Sequence, residues 1–323
     1  MVGKQGSEIN SGANAPLASD LAEKLARLEQ IIQEMGSVAV GYSGGIDSSL
    51  VAWVAGRLLG DKMLAVTIRS PVESPEETEL AVQIAQQTGF RHRVVDMDDL
   101  ADPIFVANPP DRCYHCKLRR FSALQGLASE EGLQWIADGS NIDDADVYRP
   151  GRRAMAELGV RSPLSQAGLN KADIRQIARA LGLPNWNKPA APCLATRFPY
   201  NTQLTRAGIE RVGKAEAILH NLGFRQVRVR VHDPGTPDRE LARIEVEFTQ
   251  FPALISQRET IVAVLHDLGF RIITLDLLGF RSGSMDNGLL AQQPGSVQPN
   301  NSSPDNSSTN NLSTNDRLQL DAP

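Results

Sequence analysis

The chain has 323 residues, 41% of them apolar and 22% charged, ordinary for a soluble globular protein and enough for about two domains with a sizeable core. Lys plus Arg number 33 against 38 Asp plus Glu, a net charge of −5, so no global basic field attracts nucleic acid and any anion site is local. No apolar run reaches the ~18 residues of a membrane span, no signal-peptide stretch opens the chain, and three cysteines suit a reducing cytoplasm better than a disulfide framework.

Residues 1–18 are polar and rich in Gly, Ala, Ser and Asn. Residues 285–323 are Asn/Ser/Pro/Gln low complexity. Both read as disordered, because neither holds enough apolar surface to offset the entropy of ordering. Function is therefore expected between 19 and 284. A first helix is predicted with Asp20 as cap and Glu23 completing a capping box, its apolar stripe Leu21, Leu25, Leu28, Ile32 and Met35. Ser37–Tyr42 is a short β-rich run, followed by a glycine turn and a buried helix, SSLVAWVAGRLLG. Residues 63–70 read as a second strand. Ser74, Pro75, Glu76 and Glu77 open a helix with cap, N1 proline and acidic first turn. Gly89 ends it, RHRVVDM is a third strand, and QWIADGS (134–140) a fourth, reached through a helix near 117–129. Such alternation predicts a parallel sheet covered on both faces, with ligands at the carboxyl ends of its strands.

Past residue 200 the pattern changes to helix (205–222), QVRVRVH, LARIEVEF, helix (252–268) and RIITLDLLG. Residues 217–225, AILHNLGFR, echo residues 263–271, AVLHDLGFR. Either one helix–strand unit is duplicated or the likeness is only that of two helix ends. In both cases a second, smaller α+β domain is expected.

Three motifs carry chemistry. In SGGIDS (43–48), between a strand and a helix, Gly44 and Gly45 allow close backbone approach to an anion. The helix N-terminus favours negative charge there, and Ser43 and Ser48 add hydroxyls. Asp47, acidic at a phosphate site, makes sense as a Mg²⁺-orienting carboxylate. Without a following GK[ST] this is no P-loop kinase pattern. It resembles the pyrophosphate loop of the N-type ATP pyrophosphatases, which cleave ATP between the α- and β-phosphates and adenylate a substrate oxygen. Gly41 and Thr67 are assigned to the same ATP site. In NPPDRCYHCK (108–117), Cys113 and Cys116 form a C-x-x-C suited to a metal, an iron–sulfur cluster or a redox pair. A zinc knuckle wants a fourth ligand, and His115 lies awkwardly inside the turn. In APCLATRFPY (191–200), Cys193 sits in a Pro-rich rather than an apolar periodic stretch, which points to an exposed, usable thiol, with Arg197 placed to favour its thiolate.

Taken together, SGGIDSS, NPPDRCYHCK, DGSNIDD, YRPGRRA and PCLATR, in this order over about residues 20–283, resemble the LarE family of sulfur transferases that build the nickel-pincer nucleotide cofactor. The resemblance implies an adenine nucleotide alpha hydrolase-like α/β fold with a doubly wound parallel sheet: an ATP pyrophosphatase domain at 19–198 and a small α+β substrate and oligomerisation domain at 199–284. It implies that ATP with Mg²⁺ adenylates the carboxylates of pyridinium-3,5-biscarboxylic acid mononucleotide and that sulfur then displaces AMP. Some members carry only the cysteine matching Cys193 and give up its sulfur. Others carry three cysteines and hold a [4Fe–4S] cluster, and having Cys113, Cys116 and Cys193 all within family motifs favours the cluster here. The family also suggests trimers or hexamers.

In QVRVRVH, Arg228, Arg230 and His232 share one strand face while Val227, Val229 and Val231 face the core. Arg228 and Arg230 form either a bidentate anion site or cross-strand ion pairs on a solvated face. The resemblance favours the former, holding the mononucleotide phosphate, and places Glu216 and Glu245 near a metal or substrate site; Arg197 joins this set. Asp138, Asn141, Arg152 and Arg153 follow the fourth strand and are second-rank site residues. Competing readings are a tRNA thiolase, an amide synthetase of the same superfamily, and a non-catalytic ATP-binding iron–sulfur sensor. A thiolase wants a basic surface or an RNA-binding domain and a synthetase wants a glutaminase. The intact SGGIDS argues against a sensor.

Overall fold

In a computed structural model, residues 17–144, 150–234, 240–281 and 283–285 are described. The expected disorder at the two ends falls, but for its innermost residues, outside the described residues, as do Tyr148 and Arg149 of YRPGRRA.

The first sheet has four parallel strands, β1 (Val38–Gly41), β2 (Met63–Arg69), β3 (His92–Asp96) and β4 (Trp135–Ala137), in the order β3-β2-β1-β4. The chain steps outward twice and then crosses back beyond β1, so the sheet is doubly wound with its switch point between β1 and β4, where ligands of such sheets bind. Helices α1 (Ser19–Met35), α2 (Ile46–Leu59), α3 (Pro75–Thr88), α4 (Pro103–Val106) and α5 (Arg112–Glu130) come from this half, followed by α6 (Gly151–Glu157), α7 (Pro163–Gln166) and α8 (Lys171–Ala180). Apolar side chains pack on both faces of the sheet: Val38, Val40 and Ala65 with α1 and α2, and Ala39, Leu64 and Val66 with Leu124 and Ala128 of α5. Burial on both faces explains the continuous rather than alternating apolar strands.

The second sheet takes α9 (Arg206–Asn221), β5 (Val227–His232), β6 (Leu241–Val246), α10 (Phe251–Ser256), α11 (Arg258–Asp267) and β7 (Ile272–Leu275). Its order is β5-β6-β7, antiparallel then parallel. The sequence echo is structural at its turns. His220 Nδ1 bonds Phe224 O and His266 Nδ1 bonds Phe270 O, both at 2.8 Å, and both phenylalanines are fully buried after left-handed glycines.

Ser74 caps α3 as expected, accepting from Glu77 N–H at 3.3 Å, and Gly89 closes it in the left-handed region. The start of α1 differs: its N-cap is Ala18, with no side-chain cap, and Asp20 lies inside the first turn. There its carboxylate acts through the helix dipole instead. The expected helix over 252–268 is two, breaking at Gln257, and the three helices between 151 and 180 were assigned no element from sequence.

Two glycines shape the ligand edge. Gly44 has φ +70°, and a Cβ there would lie 2.8 Å from Ala81 Cβ; at Gly139 a Cβ would meet Ser48 N at 2.7 Å. The loops before α2 and after β4 thus approach backbone that no side chain could share. Gly44→Ala should lose about 1–3 kcal/mol of stability from backbone strain, plus the clash, and weaken ATP binding. Gly36→Ala, with φ +69° but open space around it, should cost strain alone and spare ATP binding. Thermal melts with nucleotide titration check this; equal ATP affinity in the two variants would reject it.

Candidate active site

Five residues past β1's end at Gly41, the SGGIDS loop has become helix at Ile46. Gly45 is the N-cap of α2 and offers no side chain, so the first-turn N–H groups are left to a ligand. Ser43 N–H donates to Ser48 Oγ (3.2 Å), Ser48 Oγ donates to Gly45 O (3.1 Å), and Gly45 N–H donates to Ser43 Oγ (3.3 Å). Asp47 is held by residues distant in sequence. Lys171, the first residue of α8, places its ammonium on Asp47 Oδ2, and Asn141 Nδ2 donates to Asp47 Oδ1 at 3.2 Å. Asn141 is itself held by Asp143 N–H (3.0 Å), and Lys171 N–H donates to Asp143 Oδ2 (2.9 Å). Asn141 therefore joins the ATP-loop aspartate. Asp138 braces the same turn, accepting from Ser140 N–H (3.1 Å) and Ser162 Oγ (2.8 Å).

Thr67 is buried below the loop, donating to Tyr42 O at 2.8 Å. Lys188 and Asn185 reach Gly44 O at 3.3 and 3.0 Å. Arg152 donates to Asp144 O (3.1 Å). Arg153 is exposed and lies 3.8 Å over the Tyr114 ring. Lys171, Lys188 and Asn185 are absent from the sequence-derived set. Lys171 had one signal available, its place after the Asn170 cap of a helix that leaves the ligand edge.

The C-x-x-C lies within α5, not in a turn before it. Cys113 and Cys116 are therefore three apart on one helix face. His115 pairs with Asp111 at 3.3 Å instead of joining the thiols. Cys193 comes near this face: Cys116 and Cys193 pack against the same apolar cluster, and the thiols are near enough that ionising Cys113 or Cys193 would disfavour ionising Cys116. All three are free and half-buried. Burial pushes the Cys116 thiol up to about 12, with Arg120 opposing, and pushes Cys193 up, with Arg112 the foremost opposing cation. The expected exposed, thiolate-prone Cys193 is thus corrected to a desolvated thiol. Arg197 does not activate it, because its guanidinium is engaged by Glu216. Among the described residues no three His, Cys, Asp or Glu side chains are close enough to grip a single metal ion.

Arg197 and Glu216 form a buried two-pronged ion pair at 2.9 and 2.8 Å, and Glu216 Oε1 also accepts from Val229 N–H (2.8 Å) on the free edge of β5. Arg230 donates to Glu245 (3.1 Å) and Thr196 O (2.9 Å); Glu245, fully buried, also accepts from Arg243 and Ser284. This face is not solvated, since residues 190–197 cover it. Arg228 differs from its neighbours. It donates to Val227 O (2.7 Å) and Ala190 O (2.6 Å), leaves Nε without a partner, and no described carboxylate pairs with it. Burial, with Arg197 and Arg230 nearby, lowers its pKa to about 10. It lines a cavity of about 340 Å³ with Glu73, Lys188, Pro192, Leu194 and Glu216, within the size range of small-molecule sites.

Residues 21–108 match the NAD synthase family. The chain is 39% identical over 274 residues, 84% of its length and 97% of the relative, to the pyridinium-3,5-bisthiocarboxylic acid mononucleotide synthase of Lactiplantibacillus plantarum. The chain belongs to the LarE family. It is an enzyme, a PP-loop sulfur transferase of nickel-pincer cofactor synthesis. An uncharacterized protein of Synechocystis sp. is 43% identical over 83% of this chain and 99% of its own, and one of Methanocaldococcus jannaschii is 28% identical over 80% and 98%. The family's PP-loop implies ATP binding.

Arg197→Ala would leave Glu216 charged and buried with only one N–H. The expected loss is about 3–5 kcal/mol in chemical denaturation, whereas Arg197→Met with Glu216→Met should lose much less. A single-variant loss below ~1 kcal/mol would show that the pair is not structural.

Proposed function

We propose that this enzyme adenylates the carboxylates of pyridinium-3,5-biscarboxylic acid mononucleotide and converts them to thiocarboxylates, with sulfur passed by a [4Fe–4S] cluster on Cys113, Cys116 and Cys193. The observation that carries this reading is the meeting of three free thiols beside a pocket that contains an uncompensated buried cation. The relative's printed name supplies the product class. In this reading the three free thiols are the donors such a group takes: Cys116 and Cys193 pack against one apolar cluster, and Arg112 and Arg120 would offset its negative charge.

In this reading the 19–198 part activates and the 199–284 part holds substrate. The N–H groups of α2, with Ser43 and Ser48, hold the phosphates of ATP. Asp47 orients Mg²⁺, and Asn141 orients Asp47. A substrate carboxylate oxygen attacks the α-phosphorus and the bond to pyrophosphate breaks. AMP is then a far better leaving group than the oxygen it covers. Sulfur attacks the carbonyl carbon, the C–O bond to AMP breaks, and a thiocarboxylate remains; a second round treats the other carboxylate. When bound, the cluster supplies transferable sulfide, because three thiolates leave one iron without a protein ligand. Arg228 takes the mononucleotide phosphate, while Arg230 and Arg197 keep Glu245 and Glu216 in place beside it. The exposed side chains of Phe248, Leu277 and Leu278 support association with further copies, as trimer or hexamer. The protein is assigned to the cytoplasm, and no described helix is long and apolar enough to cross a membrane.

Anaerobically prepared protein should hold iron and sulfide in equal amounts and a brown chromophore, both lost in Cys113→Ala. If Cys113→Ala still transfers one sulfur per chain and Cys193 loses the mass of H₂S on turnover, the cluster is wrong and Cys193 is the sacrificed donor. Separately, Arg228→Ala should weaken substrate binding roughly tenfold or more and leave ATP binding intact. Calorimetry that finds unchanged substrate affinity in the variant removes Arg228 from the site.

A further inference from the structure

The three thiols meet only because a loop distant in sequence is held against the start of α5. We propose that Arg112 is the positioning residue that assembles the thiol site, fixing the Cys193 loop onto the first turn of α5. This rests on the reading above that the three thiols act together.

Arg112 is the residue before Cys113 and is 1% exposed. Its Nη1 donates to Ala195 O at 3.2 Å, two residues after Cys193, and to Asn108 Oδ1. The guanidinium carbon lies 5.7 Å from the Tyr200 ring centroid and 5.9 Å from that of Phe105. Asn108 extends the grip. Its Nδ2 donates to Pro199 O (2.6 Å) and its carbonyl accepts from Asn201 N–H (2.8 Å). On the side of the first sheet the loop is otherwise pinned by backbone, with Leu194 N–H on Val72 O (2.7 Å) and Leu204 N–H on Val106 O (2.8 Å), while Arg197 on Glu216 and Arg230 on Thr196 O tie it to the second sheet.

No described carboxylate pairs with Arg112. A buried guanidinium without one is costly and gains from groups able to carry negative charge nearby, which here include Cys193. Its Nη1 serves both acceptors while the flat guanidinium lies near two rings, and the plane fixes the direction of those N–H groups. A lysine keeps the charge but has neither fork nor face. Asn108 has φ +55°, which glycine adopts freely, so Asn108→Gly removes the side-chain grip without backbone strain.

The test uses full-length, metal-free, reduced protein and a short bifunctional thiol reagent. Peptide mass after proteolysis reads the bridge from Cys193 to Cys113 or Cys116. Wild type should bridge readily. Arg112→Lys should bridge roughly tenfold or more slowly, on the strength of a charge-assisted hydrogen bond, and Asn108→Gly should also slow. ATP affinity should change less than about twofold in both, since neither residue touches the phosphate loop. If Arg112→Lys loses ATP binding through misfolding, Asn108→Gly decides. Wild-type bridging rates in folded variants overturn the proposal. A wild type that does not bridge overturns it too, whereas the iron content of the wild type judges the cluster by itself.

Discussion

A buried guanidinium docked on backbone carbonyls and amide oxygens is the contact on which the site depends. Arg112, with Asn108, holds the 193–204 segment to the start of α5. That segment then serves as the hub between the two sheets. Its Arg197 is anchored by Glu216 of α9, its Thr196 carbonyl accepts from Arg230, and Ala190 just before it accepts from Arg228. One apolar cluster follows the same path, joining Val72 and Phe105 to Leu194, Phe198, Val229 and Phe224. The thiol set, the cavity and the second sheet are therefore consequences of one loop placement.

The charges explain how a protein of net −5 offers anion sites. Around the hub, Arg197 and Arg230 are matched by Glu216 and Glu245, and Arg120 by Glu73 and Asp99. For Arg120 burial alone would lower the pKa, but Glu73, Cys116 and Asp99 outweigh it and raise it. Among the described residues, Arg112 and Arg228 are buried cations with no such carboxylate match. One stands at the thiols and the other at the cavity, the two places where the proposed chemistry brings negative charge. Matched pairs of this kind add little net stability; what they supply here is a fixed geometry around the unmatched ones.

The phosphate loop works on different terms. It uses backbone N–H groups, an uncapped helix start and glycines that admit close approach, all within six residues. Its position at the switch point follows from strand order alone. Distant residues enter at Asp47, held by Asn141 and Lys171, and at Gly44 O, reached by Asn185 and Lys188.

Local grammar was enough for what is local. The strand–loop–helix around SGGIDS, the Ser74 cap, the parallel sheet and the repeated LGF turns could all be read from residues close in sequence, because hydrogen-bond rings and side-chain period span only a few positions. The C-x-x-C was placed in a turn from sequence, whereas it lies in a helix that no side chain caps. The alternation of QVRVRVH showed which side chains share a face but not what covers it. Burial by residues 190–197 makes that face an interior one, separating Arg228, left unmatched, from Arg230, spent on Glu245. Likewise, sequence assigned Arg197 to Cys193 because they are neighbours, whereas the fold assigned Arg197 to Glu216 and gave Cys193 to Arg112 and Arg120. Partner choice among buried charges is set by three-dimensional distance and desolvation, and neither is a property of the chain until it has folded.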